Sequence, residues 1–296
     1  MLLAASKRML ARLLLVAAAV TAVSCGSDDP RSAFVVGAGD SVESRVLAEI
    51  YAGALARTGL TVAVLPQLGA RPDYLAALDA GRIGLVGEHS GELLAYLDSA
   101  TTARTPQQVT VALNRALPEG IVVADPADGT DMRPRVLLPA EVADREDLRS
   151  IADIGPRCGE WEAGIAPAPD ILRASSARLS ITGCDFAGER PLPDAATLRN
   201  ALLDGGSPVG VLSGPPALTP GAADGLAILT DEDYALPAQN VLPIFRKGML
   251  DDRRLEKLNY VAGELTTEDL VDLILKVRSG TSAATAARDW LDEHAL

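Results

Sequence analysis

An α/β fold of two lobes joined by two crossings is predicted by three features of the sequence. Strand-like and helix-like segments alternate between residues 33 and 97. A second α/β pattern runs between about residues 136 and 229. Two polar stretches, 125–134 and 231–237, separate these regions and return the chain toward a final strand. Alternation of strand and helix marks a parallel sheet covered by helices. Two such lobes with two crossings imply a cleft, and small ligands favour interdomain clefts at the carboxyl ends of strands.

The elements follow in order. Ala33 to Gly37 reads as a buried strand, after which Asp40 offers an N-cap, with Glu43 three residues on as its capping-box partner. The next helix puts Val42, Val46, Ile50 and Ala54 on one face and ends at Gly59. Thr61 to Leu65 is a second strand. A helix entered at Pro72 carries Leu75 and Leu78 and stops at Gly81. Ile83 to Val86, a helix from Glu92 to Leu97 and a strand-like run from Pro118 to Val123 complete the first pattern. In the middle region the clearest pieces are Val136 to Leu138, a helix from Asp194 to Leu203, and Val209 to Leu212; Gly155 to Pro169 reads as loop, pinned by Cys158. Asn240 to Phe245 is a strand. Helices at 252–264, 267–278 and 282–294 close the chain, with Thr266 and Asp269 as a capping pair.

The N-terminus reads as an export signal: Lys7, Arg8 and Arg12, then an apolar run from Leu13 to Val23, then small residues before Cys25. That run is shorter than the roughly 20 residues a membrane-spanning helix needs. Cys25 stands where a bacterial lipoprotein carries its lipid; ordinary secretion and a buried N-terminal helix are the alternatives. Each buried lipid CH₂ contributes about 0.8 kcal/mol, so two or more chains would hold a domain at a membrane surface. The formal charge is −13, and removal of the signal takes away three further cations. An acidic chain without a basic run is unsuited to nucleic acid. Cys158 and Cys184 remain. In an exported protein an isolated pair indicates a disulfide; the alternative, a metal site, has only His89 and His294 to draw on and no Cys-x-x-Cys.

No catalytic set is apparent. His89, in Gly87-Glu88-His89-Ser90-Gly91, is the one histidine placed for Ser-His-Asp chemistry, and no Gly-x-Ser-x-Gly elbow occurs. Glu88 and His89 are adjacent on a strand end and point to opposite faces. Gly37-Ala38-Gly39 lacks the further glycine of a dinucleotide loop and reads as a tight strand-to-helix turn. Neither a cofactor nor a metal is expected, and an exported enzyme is the weaker reading.

The sequence resembles the glycine betaine/choline-type substrate-binding proteins of osmoprotectant ABC importers, the ProX/OpuAC group. Three stretches carry the likeness: Val35-Val36-Gly37 with Glu43 and the helix to Ala56; Leu78 to Leu85 with Glu88-His89-Ser90-Gly91; and Leu229 to Asp233 followed by Leu236 to Lys247. The ending in Ala287, Trp290 and Leu291 also fits. The resemblance implies a two-lobed type II periplasmic-binding-protein fold with two interdomain crossings and a central cleft. Residues 1–25 would be the signal, 26–124 with 238–296 the first lobe, and 125–237 the second. It implies a monomeric lipoprotein on the extracytoplasmic face of the cell membrane. Such a protein captures a quaternary ammonium solute such as glycine betaine or choline and delivers it to a permease and, through it, to ATPase subunits. A ligand sensor on the same fold is the alternative role.

Relatives that take such cations hold them among aromatic faces, each worth roughly 0.5–2 kcal/mol. Aromatic residues are only 3% of this chain. Where the family has aromatics, His89, Asp131 and Gln239 stand, so charge or hydrogen bonds replace rings, and a neutral polyol or phenol becomes an alternative ligand. The candidate contacts are Asp40, Tyr74, His89, Asp131, Trp161 and Gln239. Each has a plainer reading: Asp40 as a helix cap, Tyr74 as core, His89 as a cleft wall or cap, Trp161 as a packed anchor. Tyr234 belongs to the cleft or the hinge. Arg71 faces a ligand carboxylate or, more commonly, a surface ion pair.

Overall fold

The computed structural model describes residues 33–172 and 180–296. The export signal and Cys25 lie outside the described residues.

The first sheet contains β1 (Phe34–Gly37), β2 (Val62–Leu65), β3 (Leu85–His89), β4 (Ile121–Val123) and, far along the chain, β10 (Val241–Arg246). Its order is β2-β1-β3-β10-β4. β1 runs parallel to β2 and β3, whereas β10 is antiparallel to both β3 and β4, with Val241 opposite His89 and Ile244 opposite Val123. The central strand β3 is buried at all five positions, while the edge strand β2 alternates half-buried and exposed residues.

The second sheet holds β5 (Arg135–Pro139), β6 (Glu162–Ala166), β7 (Gly188–Pro191), β8 (Val209–Leu212) and β9 (Leu226–Ile228), in the order β7-β6-β8-β5-β9. The chain therefore leaves the first sheet after Val123, builds the second between Arg135 and Ile228, and returns at Val241: two α/β layers and two crossings, as the pattern of the sequence predicts.

The helix α1 (Val42–Ala56) packs on α8 (Asp252–Glu264), α9 (Thr267–Arg278) and α10 (Ala283–Glu293). Its approach to α10 is close: a Cβ on Gly53 would stand 2.6 Å from the Leu291 side chain. Its cap differs from expectation. Ser41, one residue after Asp40, has extended backbone, and its hydroxyl accepts the Ser44 N–H at 3.0 Å. That register places Glu43 at the second helical position, where its fully buried side chain turns inward and forms no capping box.

Two further departures concern elements the periodicity did not reveal. α4 (Pro106–Ala116) buries only Val109 and Leu113, a stripe one residue wide per turn, although Thr105 and Gln108 form a complete capping box with Pro106 at the start. Gly155 to Pro169 is not all loop. A 3-10 turn covers Gly155–Glu160, and β6 pairs in parallel with β7 and β8, its inward positions being small residues, Ala163 and Gly164 among them. Cys158 and Cys184 form the expected disulfide, with Cα atoms 5.2 Å apart. It ties the 3-10 turn to the segment that precedes β7. Among the described residues, no helix is long and apolar enough to cross a membrane, and no group of three or more His, Cys, Asp or Glu is placed to hold a metal ion.

Candidate ligand-binding site

The crossings come together beside the end of β3. Ser90 opens α3 (Ser90–Leu97). Its N–H donates to the Asn240 carbonyl at 2.9 Å, and its hydroxyl accepts the Asn240 N–H at 3.1 Å. The Asn240 amide donates to the Thr130 carbonyl at 2.7 Å, and the Thr130 hydroxyl accepts the Val241 N–H at 2.8 Å. The Met132 N–H reaches the Gln239 carbonyl at 3.0 Å. Thr130, Gln239 and Asn240 are buried, and these bonds pair polar groups that burial would otherwise leave without partners. Residues 88–91, 130–132 and 239–240 thus form one hydrogen-bonded junction. Gly91 is needed there, since a Cβ would lie 2.4 Å from the Ala238 carbonyl oxygen.

A cavity of about 260 Å³ adjoins this junction, lined by Asp128, Thr130, Asp131, Arg133, Tyr234 and Gln239 among others. A second, of about 560 Å³, continues past Asp131, Arg133 and Tyr234 to Arg135 and Asp231. Arg133 organises both. Its Nε donates to Asp131 Oδ1 at 2.9 Å, its Nη1 to Asp231 Oδ2 at 2.8 Å, and its guanidinium stands 4.7 Å from the centre of the Tyr234 ring. Burial by itself would raise the Asp131 carboxyl. The hydrogen bonds from Arg133 and the charge of Arg135 outweigh it and hold the group below its ordinary value. The site therefore offers an ionised carboxylate, a guanidinium, one aromatic ring and a row of neutral hydrogen-bonding groups.

Asp131 and Gln239 line the smaller cavity together. Gln239 is mostly inward-facing: its side-chain carbonyl accepts the Glu92 N–H at 2.9 Å. The other candidates lie elsewhere. Asp40 is exposed and accepts the Gly69 N–H at 3.2 Å. Tyr74, on α2 (Arg71–Asp79), is buried and donates its hydroxyl to Glu88. The same carboxylate takes two bonds from Arg71, at 2.8 and 3.0 Å. Burial, then Glu88, push the Tyr74 hydroxyl far above its ordinary value, so it serves as a neutral donor. Arg71 is thus a buried partner of Glu88 and not a surface ion pair. His89 faces the opposite side of the sheet, with Nε2 2.7 Å from Glu43 Oε1. Trp161 packs beside the disulfide, its ring centre 4.6 Å from the Arg157 guanidinium.

Sequence reasoning passed over Thr130, Arg133 and Asn240. Asn240 lies within the stretch 236–247, and Arg133 is two residues from Asp131; a basic residue beside a crossing carboxylate is the signal that the sequence offers.

Residues 33–293 match the family described as the substrate-binding domain of ABC-type glycine betaine transport systems. No curated protein sequence matches the chain. Among solved structures, a glycine betaine/carnitine/choline ABC transporter protein superposes with a TM-score of 0.66 at 17% identity, covering 88% of this chain and 98% of its own. Apo YehZ from Escherichia coli gives 0.61 at 20% identity, with coverage of 88% and 98%. Lactococcal OpuAC, closed around glycine betaine, gives 0.51 at 16% identity, with coverage of 88% and 95%. At these identities the likeness is one of fold, the two-lobed type II periplasmic-binding-protein architecture.

Proposed function

The chain belongs to the family of substrate-binding domains of ABC-type glycine betaine transport systems, and on that footing we propose that it captures a small quaternary ammonium solute between the crossings and delivers it to an ABC permease. The observation that carries this reading is the cavity of about 260 Å³ beside the junction of residues 88–91, 130–132 and 239–240. An ionised Asp131 suits a trimethylammonium head, and the Arg133 guanidinium suits the carboxylate of a zwitterion such as glycine betaine. Domain boundaries at 124/125 and 237/238 fit the two crossings. A lipid on Cys25 would hold the protein on the outer face of the membrane, and nothing in the proposed cycle requires bond chemistry or a cofactor.

A second reading, a neutral polyol or phenolic ligand, is favoured by one observation. Tyr234 is the one aromatic residue lining the smaller cavity, and Arg133 already lies against its ring, so a closed cage of rings is not formed there. Calorimetric titration with glycine betaine, choline, carnitine, proline betaine, polyols and phenols separates the two. Micromolar binding of a quaternary ammonium compound supports the first. Binding of a neutral compound alone moves the protein to a different substrate class.

A further inference from the structure

The two lobes also meet through the segment Ala168–Leu172 that follows β6. Asp170 adopts a left-handed backbone, φ 65°. The turn places two of its backbone groups on one residue of α1: the Asp170 carbonyl accepts the Glu43 N–H at 3.0 Å, and the Leu172 N–H donates to Glu43 Oε2 at 2.5 Å. The other oxygen of that carboxylate holds His89. Ile171 and Leu172 are buried in one apolar cluster with Val42 and Val46. At the far side Arg278, on α9, donates to the Leu218 carbonyl at 2.5 Å and lies 3.3 Å from the Asp170 carboxylate.

We propose that Ala168–Leu172 is a proton-sensitive clasp between the lobes, fastened on Glu43 and tightened when His89 carries charge. The reason is the environment of the Glu43 carboxylate, which is fully buried under the clasp. A charged His89 makes the pair neutral overall. A neutral His89 leaves a net negative charge shut away from water with, among the described residues, two neutral donors, one from the clasp and one from the ring, which is costly.

The groups around the ring act in opposing senses, and their sum favours the charged form. Burial lowers the His89 pKa, but Glu43 on α1 raises it by charge and hydrogen bond. Glu88 on the same strand raises it further, Arg71 on α2 opposes, and the outcome lies above the ordinary imidazole value. Tyr51 on α1 stays neutral, its hydroxyl pushed far up by burial and then by Glu43. The Asp170 carboxylate is engaged by Arg278. A group whose pKa rises on closure binds its proton more tightly in the closed form. Glu43 and His89 both belong to the first lobe, so their pair persists when the clasp opens and closure adds the loss of solvent around it; on this proposal closure is strongest where His89 is charged and weakens as pH rises through the closed-form value, which lies above that of ordinary imidazole.

The test is amide hydrogen exchange, corrected for intrinsic rates, between about pH 6 and about pH 8, the range in which imidazole titrates. It is run on the full protein without solute, so its result is independent of which ligand binds. Protection of the Leu172 amide is expected to fall with pH, about tenfold for each pKa unit that closure adds to His89. In His89→Gln that slope disappears. In Glu43→Gln protection is lower at every pH, while core amides such as Leu47 and Ile244 stay protected and report an intact fold. A slope unchanged in His89→Gln, or full Leu172 protection in Glu43→Gln, overturns the proposal. Should either variant lose core protection, histidine NMR of the unaltered chain decides, with His294 as the only other histidine. The Leu172 amide signal must then move with the His89 titration; a Leu172 signal that ignores it overturns the clasp.

Discussion

The side-chain carbonyl of Gln239 accepts the backbone N–H of Glu92 at 2.9 Å, so a residue of the returning crossing closes the first turn of α3. The bond supplies from across the junction what an N-cap side chain normally supplies locally, since His89 at the cap position makes no such bond. Gln239→Ala is expected to cost about 1 kcal/mol in denaturant unfolding. Gly91→Ala should cost more, roughly 1–3 kcal/mol, because its Cβ would force the Ala238 carbonyl away. Equal stability of both variants with the parent would show that the junction relaxes freely.

Arg71 and Glu88 form a bidentate pair with almost no exposure, 4% and 0% of their side chains. Glu88→Leu takes both hydrogen-bonded oxygens from a buried guanidinium and leaves it only the Glu92 carboxylate at 3.7 Å, and is expected to cost about 3 kcal/mol. Adding Arg71→Met should recover part of that loss. A double variant no better than Glu88→Leu alone would mean that the Tyr74 hydroxyl, and not the charge, sets the cost.

The Cys158–Cys184 bridge spans 26 residues of chain. Its reduction is expected to lower unfolding stability by roughly 3–4 kcal/mol in the chain-entropy description. Unfolding with and without reductant checks this, and an unchanged midpoint would contradict it.

Asp131 titrates below its ordinary value in the folded chain. Its contribution to stability is thus complete above the ordinary carboxylate value and is lost as pH falls through the lowered one. The side chain is 40% exposed, so solvent screening keeps the effect small. Asp131→Asn should lower stability slightly through the neutral region and flatten the acid limb, so that variant and parent converge at low pH. An unchanged acid limb would refute the assignment.

Much of this architecture is legible in the sequence because burial there is periodic. The face of Val46, Ile50 and Ala54 defines α1, and the run from Asn240 to Phe245 marks the strand that returns to the first sheet. α4 escapes because only Val109 and Leu113 are buried, and β6 because its inward positions are Ala and Gly, which carry no hydrophobic signal. The site is harder to read for a different reason. Asp131 and Gln239 share a cavity, yet His89 and Tyr74 are occupied by Glu43 and Glu88, partners 46 and 14 residues away. Local pattern identifies such side chains as chemically notable but cannot say which face of the sheet each one serves.

On the proposed function, the solute binds between the crossings. A crystal structure with glycine betaine, or with whichever compound of the calorimetric panel binds most tightly, tests it directly. Ligand density is expected in the cavity lined by Asp131, Arg133, Tyr234 and Gln239. Density elsewhere, such as beside Trp161 or against Asp40, would contradict it.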